Sequence, residues 1–158
     1  MSEQPSGGVL VAGVGNIFLG DDGFGCAVAA RLSRLSPGVR AVDYGIRGMH
    51  LAYDLLAGVD LLVLVDALPD RGEPGRVHVL EVAADDVGPG AVDAHGMDPA
   101  SVLANLQALG GTMPRTIVVG CEVNDVGEGM RLSPAVEAAV DEAVRTVRDV
   151  LERELEVV

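Results

Sequence analysis

Three side chains that can bind a metal or accept a proton lie at junctions between successive segments of the chain. Asp22 lies near the end of a glycine-rich segment, Asp66 directly follows the aliphatic run 61–65, and His95 lies in a segment rich in Gly and Asp. Two carboxylates and one imidazole form a mixed oxygen and nitrogen donor set, which suits borderline divalent metals such as nickel and zinc. A carboxylate of this set is also a candidate general base.

Each of these residues also has a structural explanation. An aspartate at the first turn of a helix caps it, so Asp21 or Asp22 alone would suffice for that role. We assign the cap to Asp21 and the ligand to Asp22, although the spacing leaves the two nearly equal. For Asp66 the alternative is a turn, but a carboxylate that ends a buried strand is costly unless it is paired or metal-bound.

The three histidines compete for the third position of the site. Histidine is the commonest metal ligand, but most loop histidines are simply exposed. His50, at the start of a predicted short helix, is a weaker candidate than His95 for this position. His78 lies on the polar face of an alternating strand, and we expect it to be solvated.

Two other kinds of site are less well supported. The loop that begins at Gly13 lacks the third glycine of a dinucleotide fingerprint, because Phe18 stands there, and its two aspartates would repel a phosphate. Cys26 and Cys121 could be nucleophiles, but lone cysteines are usually buried small hydrophobes. No Gly-x-Ser-x-Gly segment is present for a serine hydrolase.

Strands and helices alternate along the chain. Aliphatic runs predict strands at 9–13, 39–42, 60–65 and 116–119, and helical spacing predicts helices at 22–35, 49–57 and 99–109. Ser133-Pro134 begins a long amphipathic helix, and the alternating run 76–82 predicts an edge strand. We therefore expect an α/β fold of a single domain, residues 1–158, with residues 1–8 flexible. It would be a three-layer sandwich with a twisted, mostly parallel sheet, one antiparallel edge strand and helices on both faces.

Composition limits the possible partners. The 158 residues are 49% apolar and only 3% aromatic, and the net charge is -13. All 11 basic residues are arginines, so neither nucleic acid nor an anionic membrane is expected as a partner. No basic segment precedes the first apolar run, which argues against a signal peptide, and we expect a cytoplasmic protein.

The motifs resemble those of the maturation endopeptidases of nickel–iron hydrogenases. The loop 13–25 is similar to the signature loop of that family, and it is the most specific part of the resemblance. Support comes from the segments 45–49, 62–67, 119–123 and 129–134, so that the similarity extends from about Val9 to Leu151.

The resemblance implies a metal site at Asp22, Asp66 and His95. Our own hypothesis is that Asp22 and Asp66 are catalytic, with an aspartate acting as general base on water. The resemblance also implies a protease that removes a C-terminal extension from the precursor of a nickel–iron hydrogenase large subunit, with nickel supplied by that precursor. A non-hydrolytic nickel-binding chaperone is the alternative. Many relatives have Gly-Gly-Thr where this chain has Gly45-Ile-Arg47, so Arg47 is expected to adjust substrate choice.

Overall fold

The computed structural model describes residues 7–83 and 99–156, which contain one five-stranded sheet and four α-helices. The strands are β1 (Val9–Val14), β2 (Val39–Gly45), β3 (Leu61–Leu68), β4 (Val77–Val82) and β5 (Arg115–Glu122). The helices are α1 (Phe24–Arg31), α2 (Gly48–Leu56), α3 (Pro99–Ala108) and α4 (Pro134–Glu156), and a 3₁₀ helix, Gly20–Gly23, precedes α1.

The sheet has the strand order β2-β1-β3-β5-β4. All neighbouring strands are parallel except β4 and β5, which pair antiparallel at the edge. The chain leaves β1 toward β2 on one side, and then crosses to β3 on the other side. This reversal creates a switch point between the carboxyl ends of β1 and β3, where ligands bind in folds of this type.

Helices cover both faces of the sheet. Phe24 and Val28 of α1 pack with the inner face of α4 against one side, and Leu51 and Leu106 pack α2 and α3 against the other. The strands between them are built from Val, Leu and Ile, as expected for strands that are buried on both faces. The predicted three-layer α/β architecture with one antiparallel edge strand is confirmed.

Several predicted boundaries were wrong. The strand expected to end at Val65 continues to Leu68, because Asp66, Ala67 and Leu68 remain paired with β5. The helix predicted from Asp22 to Leu35 is divided. A 3₁₀ turn contains both aspartates, and α1 ends at Arg31 because Leu32 adopts an extended conformation that buries its side chain in the core.

One side chain predicted on the inner face of α4 is more exposed than expected. Leu155 is 38% exposed, whereas Val136, Val140 and Val147 on the same face are buried.

Within residues 7–83 and 99–156, no helix combines the length and the apolar character needed to cross a bilayer.

Gly25 allows α1 to lie directly on the switch point. A Cβ atom at this position would be 2.2 Å from the carbonyl oxygen of Val65 and 2.5 Å from that of Val14. Both distances are well below a van der Waals contact, and backbone oxygens inside a sheet cannot move away. The close approach of α1 to β1 and β3 therefore requires glycine here.

We expect the substitution Gly25→Ala to lower the free energy of unfolding by about 1–3 kcal/mol, as is typical of overpacking. The matched control is Ala30→Ser, which adds one atom at an exposed position of the same helix. Urea unfolding followed by circular dichroism measures both changes. Equal stability of the two variants would show that α1 is not held in close contact.

Candidate active site

The carboxyl edge of the sheet brings three connections together. They are residues 15–23 after β1, residues 46–47 after β2, and residues 123–133 after β5. The connection after β1 is held to the one after β5 by an isolated bridge between Leu19 and Gly129. Each of the backbone amides of Gly20 and Gly129 donates to a carbonyl of the opposite connection, so two loops form one rigid rim.

Asp22 is placed against the end of β1. Its side chain is buried, and its Oδ2 accepts a hydrogen bond from the backbone N–H of Asn16 at 2.7 Å. Gly15 makes this position possible, since its φ is +137° and a Cβ there would lie 2.0 Å from the carbonyl oxygen of Asp22. The glycine-rich loop thus wraps tightly around the Asp22 carboxylate.

Asp66 lies on the other side of the switch point. It is half-buried near the end of β3 and lies opposite Gly120 of β5 in the register. Pairing of β3 with β1 ends one residue earlier, at Gly13 and Val65. The Oδ1 atom of Asp66 accepts a hydrogen bond from the backbone N–H of Ala67 at 2.8 Å. Since the 3₁₀ helix contacts β3, Asp22 and Asp66 belong to one region of the carboxyl edge.

Asp21 has a different role from the predicted helix cap. Neither the 3₁₀ helix nor α1 has a side-chain cap. The fully buried Asp21 instead accepts hydrogen bonds from the amides of Asn124 and Asp125 at 2.8 Å and from that of Ser133 at 2.6 Å. The Ser133 hydroxyl donates as well, at 2.8 Å.

These bonds determine the charge state of Asp21. Burial by itself would raise the pKa of this carboxyl, but the hydrogen bonds from Ser133, Asp125 and Asn124 together outweigh burial and lower it. A stable carboxylate at this point fastens the β5–α4 connection to the loop that contains Asp22. The sequence signals the start of α4 at Ser133-Pro134, but it gives no sign of a partner more than 100 residues away.

The third predicted ligand, His95, lies outside the described residues. Within residues 7–83 and 99–156, no group of three or more His, Cys, Asp or Glu side chains is arranged to hold a metal ion. Asp22 and Asp66 are two carboxylates at one edge of the sheet, and the metal site that they would form with His95 stays a prediction. His50 lies near the start of α2, where its ring packs edge-on against Tyr44.

His78 is only partly exposed, at 31% of its side chain, because it pairs with the buried carboxylate of Glu122. Its Nε2 lies 2.7 Å from Oε2 of Glu122, and Glu122 Oε1 accepts the amides of Arg71 and Glu73. These bonds, the one to His78 foremost, lower the pKa of Glu122 to about 2. Sequence analysis missed this pair, because residues 44 positions apart are joined only by the antiparallel edge strand.

The cysteines are buried thiols, as the sequence indicated. Burial and the neighbouring Asp43 raise the pKa of Cys26 to about 12. Burial and the charge of Asp21 have the same effect on Cys121. A thiolate is therefore strongly disfavoured at both positions, which argues against a cysteine hydrolase.

Comparisons with known proteins agree with this geometry. The family model described as hydrogenase maturation protease (HycI) matches residues 26–150. The hydrogenase 2 maturation protease of Escherichia coli is 31% identical, over 88% of this chain and 87% of its own length. The hydrogenase expression/formation protein HupD of Rhodobacter capsulatus is also 31% identical, over 89% of this chain and 71% of its own.

A solved structure has the same fold. The structure of the hydrogenase maturating endopeptidase HybD from E. coli superposes with a TM-score of 0.78 and 28% identity. The match covers 93% of each chain.

The Asp21 contacts predict a stability effect that is separate from any effect on the site. Asp21→Ala would leave three backbone amides without their acceptor, and we expect a loss of about 3 kcal/mol in the free energy of unfolding. Asp70→Ala is the control, because that carboxylate is exposed and accepts the amide of Gly72. Chemical denaturation measures both, and similar losses would contradict the role given to Asp21.

The Glu122 contacts predict a dependence of stability on pH. The pKa of Glu122 is about 2 in the folded protein against an ordinary value of 4.5, so the unfolded chain binds this proton first. Stability from this group is present above about pH 4.5 and is lost as the pH falls toward 2. The difference in Tm between wild type and Glu122→Gln should therefore shrink over that range. Glu128→Gln, at an exposed position, should show no such trend.

Proposed function

The chain belongs to the family of hydrogenase maturation proteases, and on that premise we propose that it removes a C-terminal extension from the precursor of a nickel–iron hydrogenase large subunit. The observation that carries the proposal is the placement of Asp22, in the connection after β1, and of Asp66, near the end of β3, on either side of the switch point. A cytoplasmic location is part of the same proposal.

Nickel enters this proposal as part of the substrate. Asp22 and Asp66 supply carboxylate oxygens, and His95 would add an imidazole nitrogen. This donor set suits nickel, which accepts both oxygen and nitrogen ligands. The fixed position of the Asp22 carboxylate, which accepts the Asn16 amide, supports its role as a preformed ligand. If the precursor lacked nickel, no cation would lie between the carboxylates of Asp22 and Asp66 at the cut site.

The chemical step is hydrolysis of one peptide bond. Water adds to the carbonyl carbon, the C–N bond breaks, and the two products are a new carboxylate and a new amine. We assign the general base to Asp66, because it is half-buried and therefore within reach of water, whereas Asp22 is almost fully buried. A carboxylate in this role accepts the proton of water and returns it to the leaving amine.

The chaperone alternative is not favoured. The E. coli relative is named a protease, and the solved structure is named an endopeptidase. A chaperone would need the same metal ligands but no attacking water, so the presence or absence of cleavage distinguishes the two functions.

The test is cleavage of the cognate precursor, with and without nickel, followed by mass spectrometry. We expect wild type to shorten only the nickel-loaded precursor. Asp66→Asn should lower kcat by about 10²–10⁴-fold, because a general base is lost. Asp22→Asn and His95→Ala should weaken the dependence on nickel, since each removes a proposed ligand.

The matched control is Asp149→Asn, which makes the same chemical change on the exposed surface of α4 and should cut normally. Thermal unfolding of every variant separates loss of activity from loss of structure. Full cleavage by both Asp22→Asn and Asp66→Asn would refute the assigned site. Nickel binding without any shortening of the precursor would favour the chaperone.

A further inference from the structure

A groove of about 310 Å³ opens beside the candidate active site. It lies between the β1–α1 loop and the turn that joins β2 to α2. We refer to it as the Arg47 groove; its lining consists of residues 15–18, Cys26 and residues 43–47. Two of its apolar side chains are unusually exposed, Phe18 at 60% and Ile46 at 65%. Large apolar groups exposed side by side mark a surface that binds a partner.

The groove is continuous with the site. Asn16 lines the groove, and its backbone N–H donates to Oδ2 of Asp22 at 2.7 Å. Gly15, the residue packed against the carbonyl of Asp22, lines it as well. A peptide bound with its scissile bond beside Asp22 and Asp66 would therefore extend into this groove.

Arg47 is held in place at the mouth of the groove. Its Nε donates to the carbonyl of Tyr44 at 3.0 Å, and its Nη2 donates to the carbonyl of Asp43. Tyr44 is itself fixed, because its ring is fully buried and its hydroxyl donates to Oδ2 of Asp54 at 2.5 Å. These bonds occupy one edge of the guanidinium and leave Nη1 and the outer N–H of Nη2 directed away from the backbone.

The outer edge of Arg47 has no carboxylate partner within residues 7–83 and 99–156. By contrast, Arg31, Arg76 and Arg115 all form ion pairs with acids of the chain. Arg47 differs from these three in that its guanidinium is held by the backbone carbonyls of Tyr44 and Asp43. Two parallel N–H donors in one plane match the geometry of a carboxylate.

Asp43 restricts where such a carboxylate can lie. It lines the groove, and its Oδ1 accepts the amide of Gly45 at 3.0 Å. A second carboxylate close to it would be repelled. The wall formed by Ile17 and Phe18 suits an apolar group, and the outer edge of Arg47 suits an acidic one.

We propose that the Arg47 groove binds the precursor segment next to the scissile bond, with an apolar side chain against Ile17, Phe18 and Ile46 and an Asp or Glu side chain on Arg47. Arg47 is then a specificity-determining residue of the protease. This inference rests on the proposed function, because it takes the occupant to be the hydrogenase precursor.

The test compares Arg47→Gln and Arg47→Lys with wild type on the nickel-loaded precursor. Loss of a bidentate ion pair should raise KM by about tenfold or more for Arg47→Gln, with kcat nearly unchanged. The KM of Arg47→Lys should lie between those of wild type and Arg47→Gln, since lysine keeps the charge but not the planar pair of donors. Arg145→Gln on the exposed side of α4 is the control. An unchanged KM for Arg47→Gln would overturn the proposal.

Precursors in which single Asp or Glu residues near the cut are changed to Asn or Gln identify the partner. One of these changed precursors should raise the KM of wild type by the same factor as Arg47→Gln does. The same precursor should not raise the KM of the Arg47→Gln variant any further. If no acidic side chain behaves in this way, or if only amidation of the precursor's C-terminus does, the assignment to a side chain is wrong.

Direct binding keeps the two proposals separable. The Kd of the precursor for wild type and for Arg47→Gln, measured by fluorescence anisotropy, does not depend on cleavage. Tenfold weaker binding to Arg47→Gln without cleavage by either protein would refute the proposed function and leave the groove in place. Normal cleavage with equal Kd values would refute the groove alone.

Discussion

The buried carboxylate of Asp21 is the contact on which the carboxyl edge of the sheet depends. It accepts three backbone amides and one hydroxyl from residues 124–133, so it joins the loop after β1 to the loop after β5. Without this anchor, the long β5–α4 connection would keep the bridge at Leu19 and Gly129 and the backbone bond from the Asp21 amide to the Asp125 carbonyl. A site assembled from separate loops needs such a fixed point, because small displacements at a catalytic group are costly.

The adjacent residues Asp21 and Asp22 have different surroundings. Asp21 is surrounded by donors, and this environment keeps it charged and fully buried. Asp22 accepts the amide of Asn16 and lies against Gly15, at the end of β1. Both lie in the 3₁₀ helix before α1, and their carboxylates contact different segments of the chain. The carboxylate of Asp21 holds the β5–α4 connection, and that of Asp22 contacts the loop after β1.

The sequence allowed the architecture and the two carboxylates at the edge to be predicted, because aliphatic runs and helical spacing are local properties. Asp66 could be placed at the end of a buried strand for the same reason, although pairing with β5 extends that strand to Leu68. The roles of Asp21 and Glu122 could not be predicted, since each depends on partners brought close only by tertiary packing. Nothing in the spacing of Asp21 and Asp22 distinguishes an anchor from a ligand.

The rigidity of this edge also explains how a chain with few aromatic residues can recognise a partner. Most of the strongly exposed apolar side chains near the site, including Phe18, Ile46 and Met130, belong to connections whose backbones are fixed by Asp21, by the Leu19–Gly129 bridge or by Tyr44. Side chains on a fixed backbone lose little freedom on binding, so a small apolar surface contributes more affinity than a mobile loop would. The bonds that hold Asp22 thus also prepare the surface that a substrate would meet.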